Sequence, residues 1–273
     1  MAGTREPMNT PQPRPSPPAP DWPAPPASVA ATKADVHIWL IDLDISAAEH
    51  AAYRSILTAE ELKRADRFVF DYLTRRNIAG QAALRLILSR YTGRPAKHIQ
   101  FFKGPKGKPY LSPELEATPL QFNVSNSGER ALIAVTQEAQ VGIDLEGHRE
   151  VTYGDSVARR HFSPAEYAQL PRVDNPQWLN HFFNCWTRKE AFIKVTGEGL
   201  SRALDSFEVS LVPGHRPALT RVDQDLNPER KWTLSAFDPG PGYTAAIVVG
   251  GAPRALSFWR FPHGTHQLHS TAG

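Results

Sequence analysis

Apolar and polar positions along this chain follow two periods, and the points where one gives way to the other mark its elements. Residues 36–41, Val36-His37-Ile38-Trp39-Leu40-Ile41, are dense in β-branched and aromatic side chains and predict a strand. Thr58, with Glu61 three residues on, forms a capping box and opens a helix. A second helix is predicted over 74–91, where Ile78, Ala82, Leu84, Leu86, Ile87 and Leu88 form a broad apolar face, and it stops at Thr92-Gly93. Strands are predicted at 99–102, 121–125 and 131–135, and the Gly-Pro-Lys-Gly-Lys-Pro loop after the first of them cannot be regular structure. The extended stretch Gln140-Val141-Gly142-Ile143-Asp144-Leu145-Glu146 comes next. Successive strand side chains point to opposite faces, so Asp144 and Glu146 share one face while Ile143 and Leu145 share the other.

The second half repeats this order. Phe162-Ser163-Pro164-Ala165-Glu166 carries the same capping signature roughly a hundred residues after Thr58. A helix predicted over 176–195 ends in Val195-Thr196-Gly197, as the earlier one ends in Tyr91-Thr92-Gly93. Arg216-Pro217-Ala218-Leu219 echoes Lys108-Pro109-Tyr110-Leu111, and strands at 232–235 and 244–249 echo those at 122–125 and 131–135. The expectation is an α+β protein of two similar two-layer α/β subdomains, 34–140 and 141–262, with the acidic pair at the start of the second. Residues 1–33, which hold ten of the 25 prolines, are expected to form a disordered tail, and 263–273 a flexible one.

Composition narrows the class. With 41% hydrophobic and 22% charged residues the chain reads as an ordinary soluble globular protein. No apolar run approaches the roughly 18 residues that span a bilayer, and the N-terminus lacks the apolar core of a secretory signal, so no membrane contact and a cytoplasmic location are expected. The single cysteine, Cys185, excludes an intrachain disulfide and a thiolate-rich zinc site. The net charge of +3 conceals an uneven distribution: between Lys63 and Lys108 twelve basic residues face two acids, Asp66 and Asp71. Such a stretch suits an anionic partner, whether nucleic acid, a phosphorylated ligand or an acidic protein.

Three stretches could carry chemistry. Folding alone gives no reason to set Asp144 and Glu146 side by side on one strand face, and a hard divalent cation would remove the conflict. Trp186, Glu190 and Lys194 lie at i, i+4 and i+8 on one helical face; read structurally, they are a core tryptophan beside a surface ion pair, and read chemically, Glu190 is a third carboxylate for the same ion. Phe122-Asn123-Val124-Ser125-Asn126-Ser127-Gly128 closes a strand with small hydroxyls and amides, either as a polar turn or as short donors to phosphate oxygens. Lys108 is either a solvated loop cation or a phosphate contact. There is no Walker loop, dinucleotide glycine pattern, His-Glu-x-x-His or nucleophile elbow, so acyl transfer through an internal serine has no support.

Together, Gly142-Ile143-Asp144-Leu145-Glu146, Trp186-Thr187-Arg188-Lys189-Glu190-Ala191 with Lys194, Gly107-Lys108-Pro109-Tyr110-Leu111 and Phe122-Asn123-Val124-Ser125-Asn126-Ser127 resemble the four signatures of surfactin-type (Sfp-like) phosphopantetheinyl transferases. They occur in the family's order, and the match spans roughly 35–260. The resemblance implies a pseudo-twofold monomer that binds coenzyme A and Mg²⁺ where its halves meet. It implies transfer of the phosphopantetheine arm to a serine of an apo carrier protein, an acidic helical bundle, with release of adenosine 3',5'-bisphosphate and no role for nucleic acid. Asp144, Glu146 and Glu190 would be the magnesium ligands. Glu190 would take the serine proton, with Glu146 as the alternative, and Lys194 would lie near the transferring phosphate. Lys108 and Ser125 would contact coenzyme A phosphates, and Arg64, Arg67 and Arg76 the 3'-phosphate. The family usually has Ser-His-Ser where this chain has Ser125-Asn126-Ser127; asparagine still donates a hydrogen bond to phosphate but carries no charge. A metal-dependent phosphodiesterase or nuclease, and a non-catalytic module that binds acidic proteins, are the rival readings.

Overall fold

The computed structural model describes residues 20–112 and 119–264. In chain order its first elements are β1 (Asp35–Asp42), α1 (Ala47–Arg54), α2 (Ala59–Ala65), α3 (Asp71–Thr92), β2 (Phe101–Lys103), β3 (Pro109–Leu111), β4 (Leu120–Ser127) and β5 (Arg130–Gln137). Then follow β6 (Val141–Gly147), α4 (Gly154–His161), α5 (Pro164–Tyr167), α6 (Trp178–Thr196), β7 (Phe207–Val209), β8 (Leu219–Val222), β9 (Trp232–Phe237), β10 (Tyr243–Gly250) and β11 (Ala255–Arg260). One sheet runs β11-β1-β5-β4 and a second β6-β10-β9, with short hairpins β2-β3 and β7-β8 beside them.

Strand parity sorts these elements into layers. Trp39, Ile41, Ile133 and Val135 turn to one side of the first sheet and pack with Ile78, Ala82 and Leu86 of α3. Val36, Ile38, Leu40, Leu132 and Ala134 turn the other way, against Ile143, Leu145, Ala245, Ile247 and Val249 of the second sheet. The opposite face of β10, Ala246 and Val248, packs with Phe192 and Val195 of α6. Helix, sheet, sheet and helix therefore stack in that order, an α+β arrangement with two buried sheets. None of the described helices is long and apolar enough to cross a membrane.

The halves share one buried device. In α2 the Thr58 capping box holds Glu61, whose carboxylate meets Arg85 of α3 at 2.9 Å, and Arg85 also donates to the carbonyls of Ala96 and Ile99. In α5 the Ser163 capping box holds Glu166, whose carboxylate meets Lys189 of α6 at 2.7 Å, and Lys189 donates to the carbonyls of Leu204 and Phe207. Both long helices end on a glycine in the left-handed region, Gly93 and Gly197. Lys189 and Glu166 are essentially inaccessible to solvent. Lys189→Met would strand a buried carboxylate, and we expect a loss of about 3–5 kcal/mol, with most of it restored in the Lys189→Met, Glu166→Gln double variant when both are melted in denaturant.

Three boundaries fall differently from the sequence expectation. Residues 20–33 lie against the body: Trp22 packs edge-on against Phe237 and Phe258, Val29 is buried, and the Pro23 carbonyl accepts from the Arg260 amide. Here a tryptophan and a valine outweigh a proline-rich composition. Residues 1–19 and 265–273 lie outside the described residues, but His263, assigned to the flexible tail, meets the Tyr53 hydroxyl at 3.1 Å. Lastly, β11 crosses back to pair in parallel with β1, so the second half closes at β10 in strand pairing rather than at 262. Such a crossover is a long-range pairing that no local pattern encodes.

Candidate active site

Gly142 sets how closely α6 approaches β6. A Cβ at this position would collide with the Ala191 carbonyl oxygen and the Val195 amide nitrogen, both backbone atoms of α6, so only glycine allows the contact. Glu190 and Lys194, each one residue before those atoms, are thereby held over the β6 face that bears Asp144 and Glu146.

On the opposite edge of β6 the neighbour is β4, joined to it by side chains. Asn123 Oδ1 accepts from the Ile143 amide at 2.8 Å, Ser125 Oγ from the Leu145 amide at 3.2 Å, and Ser127 Oγ from the Gly147 amide at 3.0 Å. The period of two along β4 makes this ladder and sends Val124 and Asn126 the other way. Two of the hydroxyls continue into the carboxylates: Ser125 Oγ donates to Asp144 Oδ1 at 2.9 Å and Ser127 Oγ to Glu146 Oε2 at 3.0 Å. Lys194 Nζ donates to Asp144 Oδ1 at 2.6 Å and to Ser125 Oγ at 2.9 Å, while Arg149 Nη1 donates to Glu146 Oε2 at 2.8 Å.

Charge in this cluster is unevenly compensated. Burial pushes the Asp144 carboxyl up against the pull of Lys194. Burial and the nearby charges of Asp144 and Glu146 push Glu190 up from 4.5 to about 7. A carboxyl raised in this way keeps a proton that the unfolded chain has released, so stability falls as pH rises from about 4.5 to about 7. Glu190→Gln is therefore expected to melt higher than wild type near pH 8 and to match it near pH 4, in metal-free buffer. A variant that melts lower than wild type at both pH values would show that Glu190 is not held against repulsion.

A cleft of roughly 980 Å³ lies between α2, α3, the β2-β3 hairpin and the end of β4. Arg64, Arg76, Lys103, Asn126 and Ser127 are among its walls. Arg76 forms a two-pronged pair with Asp44 at 2.7 and 3.0 Å. Arg67 is exposed and is not part of the cleft wall. Lys108 also turns away: its Nζ donates to the carbonyls of Val141 at 3.0 Å and Lys194 at 2.7 Å, close to the end of α6, and burial lowers its pKa to about 8. Of the expected phosphate contacts, Arg64, Arg76 and Asn126 thus share the cleft. Ser125, Asp144 and Lys194 form the adjoining cluster, and Ser127 belongs to both. Sequence reasoning passed over the tasks of Gly142, Asn123, Ser127 and Arg149; the polar i, i+2, i+4 spacing of Asn123, Ser125 and Ser127 was the available signal.

The donor set suits a hard cation in one respect and not in another. Asp144 Oδ2 is buried without a hydrogen-bond partner among the described residues, and the surrounding acids offer oxygen only. As placed, however, Asp144 and Glu146 point to the cations of Lys194 and Arg149, and among the described residues no three His, Cys, Asp or Glu side chains converge into a metal-binding group. An orphaned buried carboxylate oxygen beside a second, proton-retaining carboxyl marks a site short of positive charge.

The chain is similar to known proteins over most of its length. Residues 140–248 match the 4'-phosphopantetheinyl transferase superfamily, and residues 44–138 match a 4'-phosphopantetheinyl transferase N-terminal family. The 4'-phosphopantetheinyl transferase HetI of Nostoc sp. is 35% identical over 240 residues, covering 88% of this chain and 98% of that one. The 4'-phosphopantetheinyl transferase Sfp of Bacillus subtilis is 29% identical over 209 residues, covering 77% and 89%. A solved holo-[acyl-carrier-protein] synthase of Thermotoga maritima aligns with 42% of this chain and 64% of its own, at 23% identity and a TM-score of 0.33. On the strength of the near full-length similarity to HetI, this chain belongs to the 4'-phosphopantetheinyl transferase superfamily, among enzymes of the Sfp type.

Proposed function

We propose that this enzyme moves the phosphopantetheine arm of coenzyme A onto a serine hydroxyl of an apo carrier protein and releases adenosine 3',5'-bisphosphate. The observation that carries the reading is the double position of Ser127. It lines a cleft with Arg64, Arg76 and Asn126, and it donates to Glu146 in an acidic cluster with an unpartnered oxygen on Asp144. A ligand that carries a phosphate on the 3' side of its ribose and a pyrophosphate on the 5' side of the same sugar fits a cationic cleft that leads to such a cluster.

Each residue then has a task. Arg64 and Arg76 receive the phosphate at the adenosine end, with Asp44 holding the Arg76 guanidinium in place. Asn126 donates to phosphate from the cleft wall. Lys194, steadied by Asp144 and Ser125, presents its ammonium to the oxygens of the transferring group. Asp144, Glu146 and Glu190 would hold a Mg²⁺ ion, which would neutralise charge developing on the pyrophosphate. Glu190 takes the proton of the incoming serine, and Glu146 is the second candidate. The nucleophile belongs to the partner, consistent with a site built from acids, a lysine and short donors. The exposed basic residues of the stretch from Lys63 to Lys108, Lys63, Arg67, Arg94, Lys97 and Lys106 among them, suit an acidic helical carrier. The repeated capping box, buried ion pair and glycine stop support two related subdomains within one monomer.

Chromatography of the small-molecule products tests the reading. Adenosine 3',5'-bisphosphate should form in step with coenzyme A consumed, and only when the carrier retains its acceptor serine. Nucleotide release from coenzyme A, DNA or RNA without a carrier would instead indicate a phosphodiesterase or nuclease.

A further inference from the structure

A second cavity, of roughly 300 Å³, opens between α6, the loop around Pro213 and the β9-β10 hairpin. Its wall includes Asn180, Asn184 and Arg188, which recur every four residues along one face of α6, with His215, Asp238 and Thr244 opposite. Arg188 and Glu190 are two positions apart on the helix and so project in widely different directions. This cavity is therefore separate from the acidic cluster.

Arg188 is the unusual member. It is 3% exposed, and among the described residues it pairs with no carboxylate. Its Nη1 donates to the Ser210 carbonyl at 2.5 Å and to the Ser210 hydroxyl at 3.2 Å. Its Nε is buried without a partner, and Nη2 makes no hydrogen bond among the described residues. The other buried cations are treated differently: Arg85 meets Glu61 and Lys189 meets Glu166. Removing a cation from water without a counter-charge is costly, and burial lowers the Arg188 pKa to about 10. Asp238 lies at the rim, but it is exposed and its Oδ1 accepts from the Gly240 amide, so it does not neutralise Arg188.

We propose that this cavity is an anion site, in which Arg188 receives the oxyanion group of a small molecule, a phosphate or a carboxylate. Nε is closed off from solvent, so the donor left for an oxyanion is Nη2, which makes no hydrogen bond among the described residues, and the guanidinium charge stands behind it. The Asn180 amide and the second N–H of Asn184, whose Nδ2 already donates to the Leu211 carbonyl at 3.1 Å, add neutral donors, while the Thr244 hydroxyl is engaged with His148 Nε2 at 2.7 Å. The volume suits a small molecule rather than a nucleotide. The site stands independently of the transfer reaction proposed above.

The test compares thermal unfolding in inorganic phosphate and in acetate against chloride at equal ionic strength, with coenzyme A saturating throughout so that the large cleft is occupied. The wild type should melt higher in at least one of the two oxyanions, and the anion that raises the melting temperature identifies the group. Arg188→Met removes the cation, and Asn184→Asp, nearly isosteric, supplies an internal counter-charge one helical turn away while giving up the hydrogen bond to the Leu211 carbonyl. Both variants should unfold cooperatively and lose the oxyanion-specific increment. A wild type indifferent to both anions would overturn the proposal, as would an increment that persists in either variant. Should Arg188→Met fail to fold, Asn184→Asp and the wild-type comparison still decide.

Discussion

Asp144→Ala is expected to lower phosphopantetheine transfer by about a thousandfold, the scale seen when a preorganised charge partner is taken from a transition state. Asp144 is 4% exposed and holds Lys194 at 2.6 Å, and its second oxygen has no partner among the described residues. The substitution would leave Lys194 bound only to the Ser125 hydroxyl and remove one of the three carboxyl groups from the cluster. Folding should survive, because the Lys194 ammonium is partly exposed and can turn to water. Asp144→Asn separates shape from charge: it keeps an oxygen for Lys194 but supplies no negative charge, and it should be nearly as inactive. Steady-state rates with matched circular dichroism spectra would check both, and an Asp144→Asn variant at wild-type rate would mean that the carboxylate charge plays no part.

Gly142→Ala should have the largest effect on stability. The added methyl would press on two backbone atoms of α6, which cannot swing aside as a long side chain can. Overpacking of this kind costs about 3 kcal/mol, or roughly 6–12 °C in melting temperature for a chain of this size. Activity should fall further than stability alone explains, since the helix that must move carries both Glu190 and Lys194. Surviving folded protein assayed well below its melting temperature should still transfer at least tenfold more slowly, because reacting groups displaced by a fraction of an ångström lose alignment. A Gly142→Ala variant that melts within about a degree of wild type would show that α6 does not rest on β6 as described.

How far the site could be read in advance depended on the range of the interactions. Strand parity placed Asp144 and Glu146 on one face and Ile143 and Leu145 in the core, because side-chain alternation is local. Helical periodicity put Glu190 and Lys194 on one stripe for the same reason. The direction of the Ser125 hydroxyl was hidden: it turns into the Asp144 cluster because β4 and β6 lie edge to edge through side chains. Lys108, drawn to two carbonyls near the end of α6, illustrates the same limit. Trp22 was discounted for its proline-rich surroundings, although its ring finds Phe237 and Phe258, both more than two hundred residues away. The parallel pairing of β11 with β1 spans most of the chain.

In the reading proposed above, the cleft and the acidic cluster act together to transfer a phosphopantetheine arm. Intact mass spectrometry of an apo carrier protein, incubated with the enzyme, coenzyme A and Mg²⁺, tests it most directly. The carrier should gain the mass of one phosphopantetheine arm at its acceptor serine, and the Asp144→Ala enzyme should leave it unmodified over the same interval. Several carriers that all remain at their apo mass with the wild-type enzyme would contradict it.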